Sequence, residues 1–290
     1  MKENTIASIG ELLAKGELLN SSEFLCYRGQ ANAQWSLVPA LFRDIVTLAD
    51  SLSTDSRLQL FRIERDINRE FLDHAVRFLH GKSMWEALCY GQHYGVPTRL
   101  LDWTSNLLVA VYFACLEVPS EDGAVWCLRA SSLPVPESLG RRPEGRGFRL
   151  RVLPTEHVSF LQEQSRERFV SNEVDNKEPC FLVVIQPPDI DERIRNQSSL
   201  FTVYVTLGDD DLSLKGLDQL TALLQLENHY GIQLVQKLII PAVTKPSLLK
   251  AVEKMGITSR QLFPDLIGLG QYLTYVRTDL FRKHFQNNPI

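Results

Sequence analysis

Cys89 to Tyr112 reads CYGQHYGVPTRLLDWTSNLLVAVY, and this stretch narrows the possible folds more than any other part of the chain. Gly91, Gly95 and Pro97 keep its first half out of regular structure, yet that half carries Gln92, His93, Tyr94, Thr98 and Arg99. Arg99 and Asp102 then flank two leucines, and Thr104-Ser105-Asn106 forms a cap for the apolar run Leu107 to Cys115. Polar groups this close to an apolar run need hydrogen-bond partners if they are buried, since an unpaired one costs about 1–3 kcal/mol. The rest of the chain has to supply a core that orders this loop.

With 290 residues there is enough chain for one large domain or two small ones, each able to bury a sizeable core. A hydrophobic content of 44% with 23% charged residues points to a globular protein. The formal charge of −4 gives no general electrostatic reason to bind nucleic acid or an anionic membrane, so any basic surface must be local. Five cysteines, Cys26, Cys89, Cys115, Cys127 and Cys180, include no CxxC pair and no close His/Cys cluster, so no metal site is expected. The odd count suits a reducing compartment, and charges interrupt the N-terminal segment where a signal peptide needs an apolar core. No run approaches the ~20 apolar residues of a membrane span, and a cytoplasmic protein is expected.

Apolar residues at helical spacing predict a short helix within Ile6 to Leu19. Phe24 to Tyr27 reads as a strand ending at Arg28-Gly29-Gln30, and Trp35 to Arg43 as a buried loop leading into a turn of helix. Leu60, Ile63, Ile67, Phe71, Ala75 and Phe78 recur every three or four residues, which makes Arg57 to Leu79 the clearest helix. Further helices are expected at Ser83 to Tyr90, from Ser105, at Ser247 to Met255 and at Ser259 to Tyr272. Strands are expected at Ala124 to Leu128, Cys180 to Ile185, Phe201 to Leu207 and Gln236 to Pro241, and Leu212 to Leu224 reads as strand then helix. Pro134 to Arg151, rich in Arg, Gly and Pro, reads as an exposed excursion that offers a local contact for phosphates. Helices early and strands late predict an α+β fold with a mixed or antiparallel sheet and the helices of the N-terminal half packed on it.

Arg28 at a strand end, followed by a glycine that admits another backbone or a ligand, is a candidate anchor for phosphate or carboxylate; pairing with Asp102 or a glutamate is the alternative. His93 is a candidate base or ribose contact and Tyr94 a stacking surface, against a purely structural role. Arg99 and Asp102 are expected to bridge each other, Glu64 and Glu70 to be solvated, and Glu192 and Gln197 to lie in a polar loop or short strand before a clear strand. No Gly-rich phosphate loop, HExxH or GxSxG is present.

Tyr27-Arg28-Gly29-Gln30, the segment Trp35 to Arg43, the helix with Glu64 and Phe71, and Gln92 to Thr104 with Ala110 to Ala114 closely resemble the FRG domain, named for its Phe-Arg-Gly motif. Gln197 to Val203 and Leu262-Phe263-Pro264-Asp265-Leu266 are similar to its C-terminal marks. Tyr27 stands in place of the phenylalanine, and Ser198-Ser199 where a glycine usually follows the glutamine. With the N-terminal helix set apart in residues 1–20, the resemblance, which spans most of residues 20–275, implies a single FRG-type domain over 21–290.

A remoter likeness is to ADP-ribosyltransferases of the Arg, Ser-Thr-Ser, Glu type, with Arg28, then Asp102-Trp103-Thr104-Ser105 and its following helix, then Glu192 to Gln197 as the three elements. It implies an ADP-ribosyltransferase-like fold and NAD as substrate, with nucleic acid or protein as acceptor in a bacterial defence or toxin setting. Arg28 then holds the pyrophosphate together with Gly29 and Gln30, and Thr104 or Ser105 orders the site. Tyr94 or Trp103 walls the nicotinamide, Glu192 stabilises the charge developing on the ribose, and His93 or Asp102 activates the acceptor. Gln92, Thr98, Arg99 and Gln197 complete the expected binding set. The alternative is an FRG module without turnover that binds a nucleotide, nucleic acid or protein.

Overall fold

The computed structural model describes residues 3–14, 25–45, 54–133, 153–154, 181–187, 189, 192–205 and 218–285. The basic excursion at 134–151 lies wholly outside them, as does Cys180.

Eight strands form one mixed sheet: β1 (Glu3–Thr5), β2 (Leu25–Gln30), β3 (Leu101–Thr104), β4 (Gly123–Arg129), β5 (Leu153–Pro154), β6 (Phe181–Gln186), β7 (Ser199–Val205) and β8 (Val235–Ile240). Their order is β1-β8-β4-β2-β3-β7-β6-β5. The outermost pairs β1–β8 and β5–β6 are parallel, and the pairs between them are antiparallel. Three strands, β1, β3 and β5, escape the periodicity of the sequence, β5 because it has only two residues. β1 is only three residues long, and β3 was read as part of the loop because four residues are too few to establish alternation. β1 ties the N-terminal segment into the same sheet, with Ile6 and Leu12 in the core beside it.

The described helices are α1 (Ile9–Ala14), α2 (Thr54–Ala75), α3 (Met84–His93), α4 (Leu107–Leu116), α5 (Glu192–Asn196), α6 (Gln219–Tyr230), α7 (Lys245–Lys254), α8 (Ser259–Leu262) and α9 (Leu266–Phe285). α4 is apolar on every side, a pattern that suits only a helix covered all round. It packs on Tyr27, Val125 and Cys127 of one sheet face, with Leu248 and Val252 of α7 in the same core. Asn106 caps it, accepting a hydrogen bond from the Leu108 backbone at 3.0 Å, as the Thr-Ser-Asn triplet predicts. The opposite face carries Cys26, Trp103, Trp126 and Leu128 under Leu223 and Leu226 of α6. A third cluster joins Cys89 and Leu100 to Ile185, Phe201 and Val203. Helices from both halves of the chain thus cover the sheet, not those of the N-terminal half alone.

The helix expected over Ser259 to Tyr272 is divided at Phe263-Pro264-Asp265. Proline disfavours helical backbone in the residue before it, and the Asp265 carboxylate accepts a hydrogen bond from the Gly268 backbone at 2.6 Å, starting a new helix. Residues 192–196, expected as loop or strand, form the single turn α5. Among the described residues no helix is long and apolar enough to cross a membrane.

Candidate functional site

Side chains of β2 alternate between the two faces. Tyr27 points toward α4 and pairs with Thr104 of β3; Arg28 pairs with Trp126 and so takes the other face. Gly29 faces α4 again, where an added Cβ would fall 1.9 Å from the Ala110 carbonyl oxygen and 2.8 Å from the Ala114 nitrogen. The backbone this glycine admits is that of α4.

Arg28 donates from one terminal nitrogen to the Asp102 carbonyl oxygen at 2.8 Å, and the same nitrogen lies 3.7 Å from the Asp102 carboxylate. Only 13% of the arginine side chain is exposed, against 55% for the aspartate. Burial lowers the Arg28 pKa and Asp102 acts in the opposite direction; Arg43, a neighbour the sequence reading did not single out, adds to the lowering. The guanidinium stays charged all the same, as arginine does in proteins. Its buried Nε has no hydrogen-bond partner among the described residues.

The Asp102 carboxylate is fixed from a second side. Thr98, fully buried, accepts from the Leu100 backbone and donates its hydroxyl to the Gln92 side-chain oxygen Oε1 at 2.6 Å. The Gln92 amide nitrogen is thereby turned to donate to Asp102 Oδ1 at 2.9 Å. Gly91 to His93, expected outside regular structure, form the last turn of α3, and the stretch that looked costly in sequence is a chain of paired groups running from that helix end to a half-exposed carboxylate.

Other candidates are engaged elsewhere. Arg99 does not bridge Asp102: its Nε donates to Glu64 Oε1 at 2.6 Å and a terminal nitrogen pairs with Glu64 Oε2. The Glu64 side chain is only 8% exposed, correcting the expectation of a solvated acid. Leu60, Glu64, Ile67 and Phe71 share one helical face, a signal that was available in the spacing. Gln30 is buried, accepting the Trp126 indole N–H at 2.6 Å and donating to the Ser36 carbonyl at 3.0 Å. Trp103 is 3% exposed and donates its indole N–H to Thr202. It presents no ring to solvent.

Thr104 donates to the Gln197 carbonyl oxygen at 2.6 Å and accepts from the Asn106 backbone. Gln197 itself donates to the Leu262 carbonyl. Ser105 is exposed and lines a cavity of about 480 Å³ with Asp189, Arg195, Ser198 and Ser199. Ser198 holds a φ of +49°, a left-handed backbone conformation that favours glycine. Glu192 is exposed at the start of α5. His93 is half-buried and meets the exposed Tyr94 edge to face at 4.8 Å.

A second cleft of about 470 Å³ opens beside Gly29 and Gln30. Arg28 lines neither cavity. Among the described residues no three His, Cys, Asp or Glu side chains come together as a metal set.

Residues 23–123 match the family profile of the FRG domain. That span holds β2, β3, α4 and the whole Arg28–Asp102–Gln92 array. No curated protein and no solved structure matches the chain.

Proposed function

We propose that the FRG-type site is a recognition site for a nucleotide-type ligand, with NAD the candidate, and that Asp102 is the group that meets it. The observation that carries this reading is the Asp102 carboxylate itself: 55% exposed, yet held by the Gln92 amide and by Arg28. A fixed carboxylate accepts from a pair of ribose hydroxyls, the role an acidic residue plays in dinucleotide sites. Arg28 is too covered and too close to that carboxylate to grip two phosphates well, so it acts as a positioning residue. Tyr94, 68% exposed, offers a ring face for a base or nicotinamide.

A second reading, transfer of ADP-ribose from NAD to a protein or nucleic-acid acceptor within an ADP-ribosyltransferase-like fold, is favoured by the order of strands. β2 with Arg28, β3 with Thr104 and β7 just after Gln197 are consecutive in the sheet, and Thr104 bonds the Gln197 carbonyl. A toxin or defence role belongs to this reading. In it Asp102, next to Arg28, is better placed than the exposed Glu192 to stabilise positive charge on the ribose.

The experiment is calorimetric titration of the chain with NAD and with ADP-ribose, alongside an assay for released nicotinamide. Saturable binding that falls at least about tenfold in a folded Asp102→Asn variant supports recognition, and nicotinamide release lost in the same variant supports transfer. Binding unaffected by Asp102→Asn overturns the role of Asp102.

A further inference from the structure

The cleft beside Gly29 is separate from the Arg28–Asp102 array and has a chemistry of its own. Trp35, Phe113, Phe263 and Tyr272 are among the residues that line it, as are the acidic residues Glu117 and Glu253; among its described lining residues there is no Lys, Arg or His. Trp35 is 48% exposed, a large apolar surface left facing water. Phe263 carries the Arg193 guanidinium 4.8 Å from its ring centroid, so a ring at this corner is already a platform for a planar cation. Phe113 meets Phe263 edge-on at 6.1 Å and 90°, which fixes the pair. Beneath the cleft Lys245 is 1% exposed, and its ammonium donates to the carbonyls of Ala31, Glu117 and Val118. That charge is directed at those carbonyls.

Ring faces are negative and attract cations, and desolvated aromatic sites with carboxylates nearby select them over neutral molecules of the same shape. The volume of about 470 Å³ falls in the range of small-ligand pockets. We infer that this cleft binds a small organic cation, an alkylated ammonium or guanidinium head, against Trp35 and Tyr272 with Glu117 supplying the opposing charge.

The test follows the indole N–H signals of the four tryptophans by heteronuclear NMR during titration with choline, with N-ethylguanidinium, and with 3,3-dimethyl-1-butanol, the neutral shape-match of choline. Absence of one signal in Trp35→Leu assigns Trp35, and retained Trp103 and Trp126 signals certify that this variant is folded. The expected result is a saturable shift of the Trp35 signal with at least one cation. The alcohol should bind at least about tenfold more weakly, and the cation about threefold more weakly in Glu117→Gln. Which cation binds tells a quaternary ammonium from a guanidinium head. Equal binding of the alcohol, or no saturable shift of Trp35 with either cation, overturns the inference.

Discussion

At the scale of single residues, pairing separates the groups that hold the loop from those free to act. Glu64 and Arg99 are two-point partners across α2 and the loop, and Glu64→Gln leaves a mostly covered guanidinium short of an acceptor. A loss of about 1–3 kcal/mol is expected, read as a lower midpoint in urea with an unchanged m-value. Gly29→Ala puts a methyl group into the α4 backbone, and overpacking of this kind costs about 1–3 kcal/mol or more. Its melting temperature should fall; an unchanged value contradicts the close approach of β2 and α4. The Tyr-Arg-Gly-Gln motif was plain in the sequence, and one of the alternatives weighed for Arg28, pairing with Asp102, is the one found. What could not be read was which acid faces which arginine. Arg99 has Asp102 three residues away and Glu64 thirty-five, and only the packing of α2 against the loop decides for the distant one.

At the scale of elements, α3 delivers Gln92 and is itself fixed at its start by a capping box. The Ser83 hydroxyl accepts from the Glu86 backbone, and the Glu86 carboxylate accepts from the Ser83 backbone at 2.8 Å. That backbone hydrogen bond is the main reason the Glu86 pKa is lowered. A carboxylate with a depressed folded-state pKa adds stability above its unfolded value and loses it as pH falls through the folded one. Glu86→Gln should therefore lower stability by up to about 1 kcal/mol at neutral pH and flatten its loss on acidification, measured by thermal melts from pH 7 to pH 3. Ser83→Ala, which keeps the backbone donor to Glu86, should cost about 1 kcal/mol and leave most of the pH dependence in place. The long helices and the strands rich in β-branched residues were legible because they repeat over several turns or pleats. β3 was not, because its four residues lie between an irregular loop and a cap and gain their strand geometry from β2 and β7.

At the scale of the whole molecule, one sheet carries segments that are far apart in sequence, and the site sits where β2 meets β3. Of the described clefts, Ser105 lines one and Gly29 and Gln30 another, and Arg28 is among the lining residues of neither. The sheet also encloses Cys26, Cys89, Cys115 and Cys127, and burial pushes the last three thiols up to about 12 and Cys26 higher still. Since the thiolate is the reactive form, a thiol reagent at pH 7.5 should label these four only after unfolding. Rapid labelling of more than one of the five cysteines in the native chain contradicts the packing.

The central claim is that Arg28 and Gln92 hold Asp102 for a ligand. Calorimetric titration of NAD into the wild-type chain and into Asp102→Asn, both with cooperative melts, tests it most directly. Saturable binding to the first, weakened at least about tenfold in the second, is the predicted result; no binding to the wild type, or equal binding to both, contradicts it.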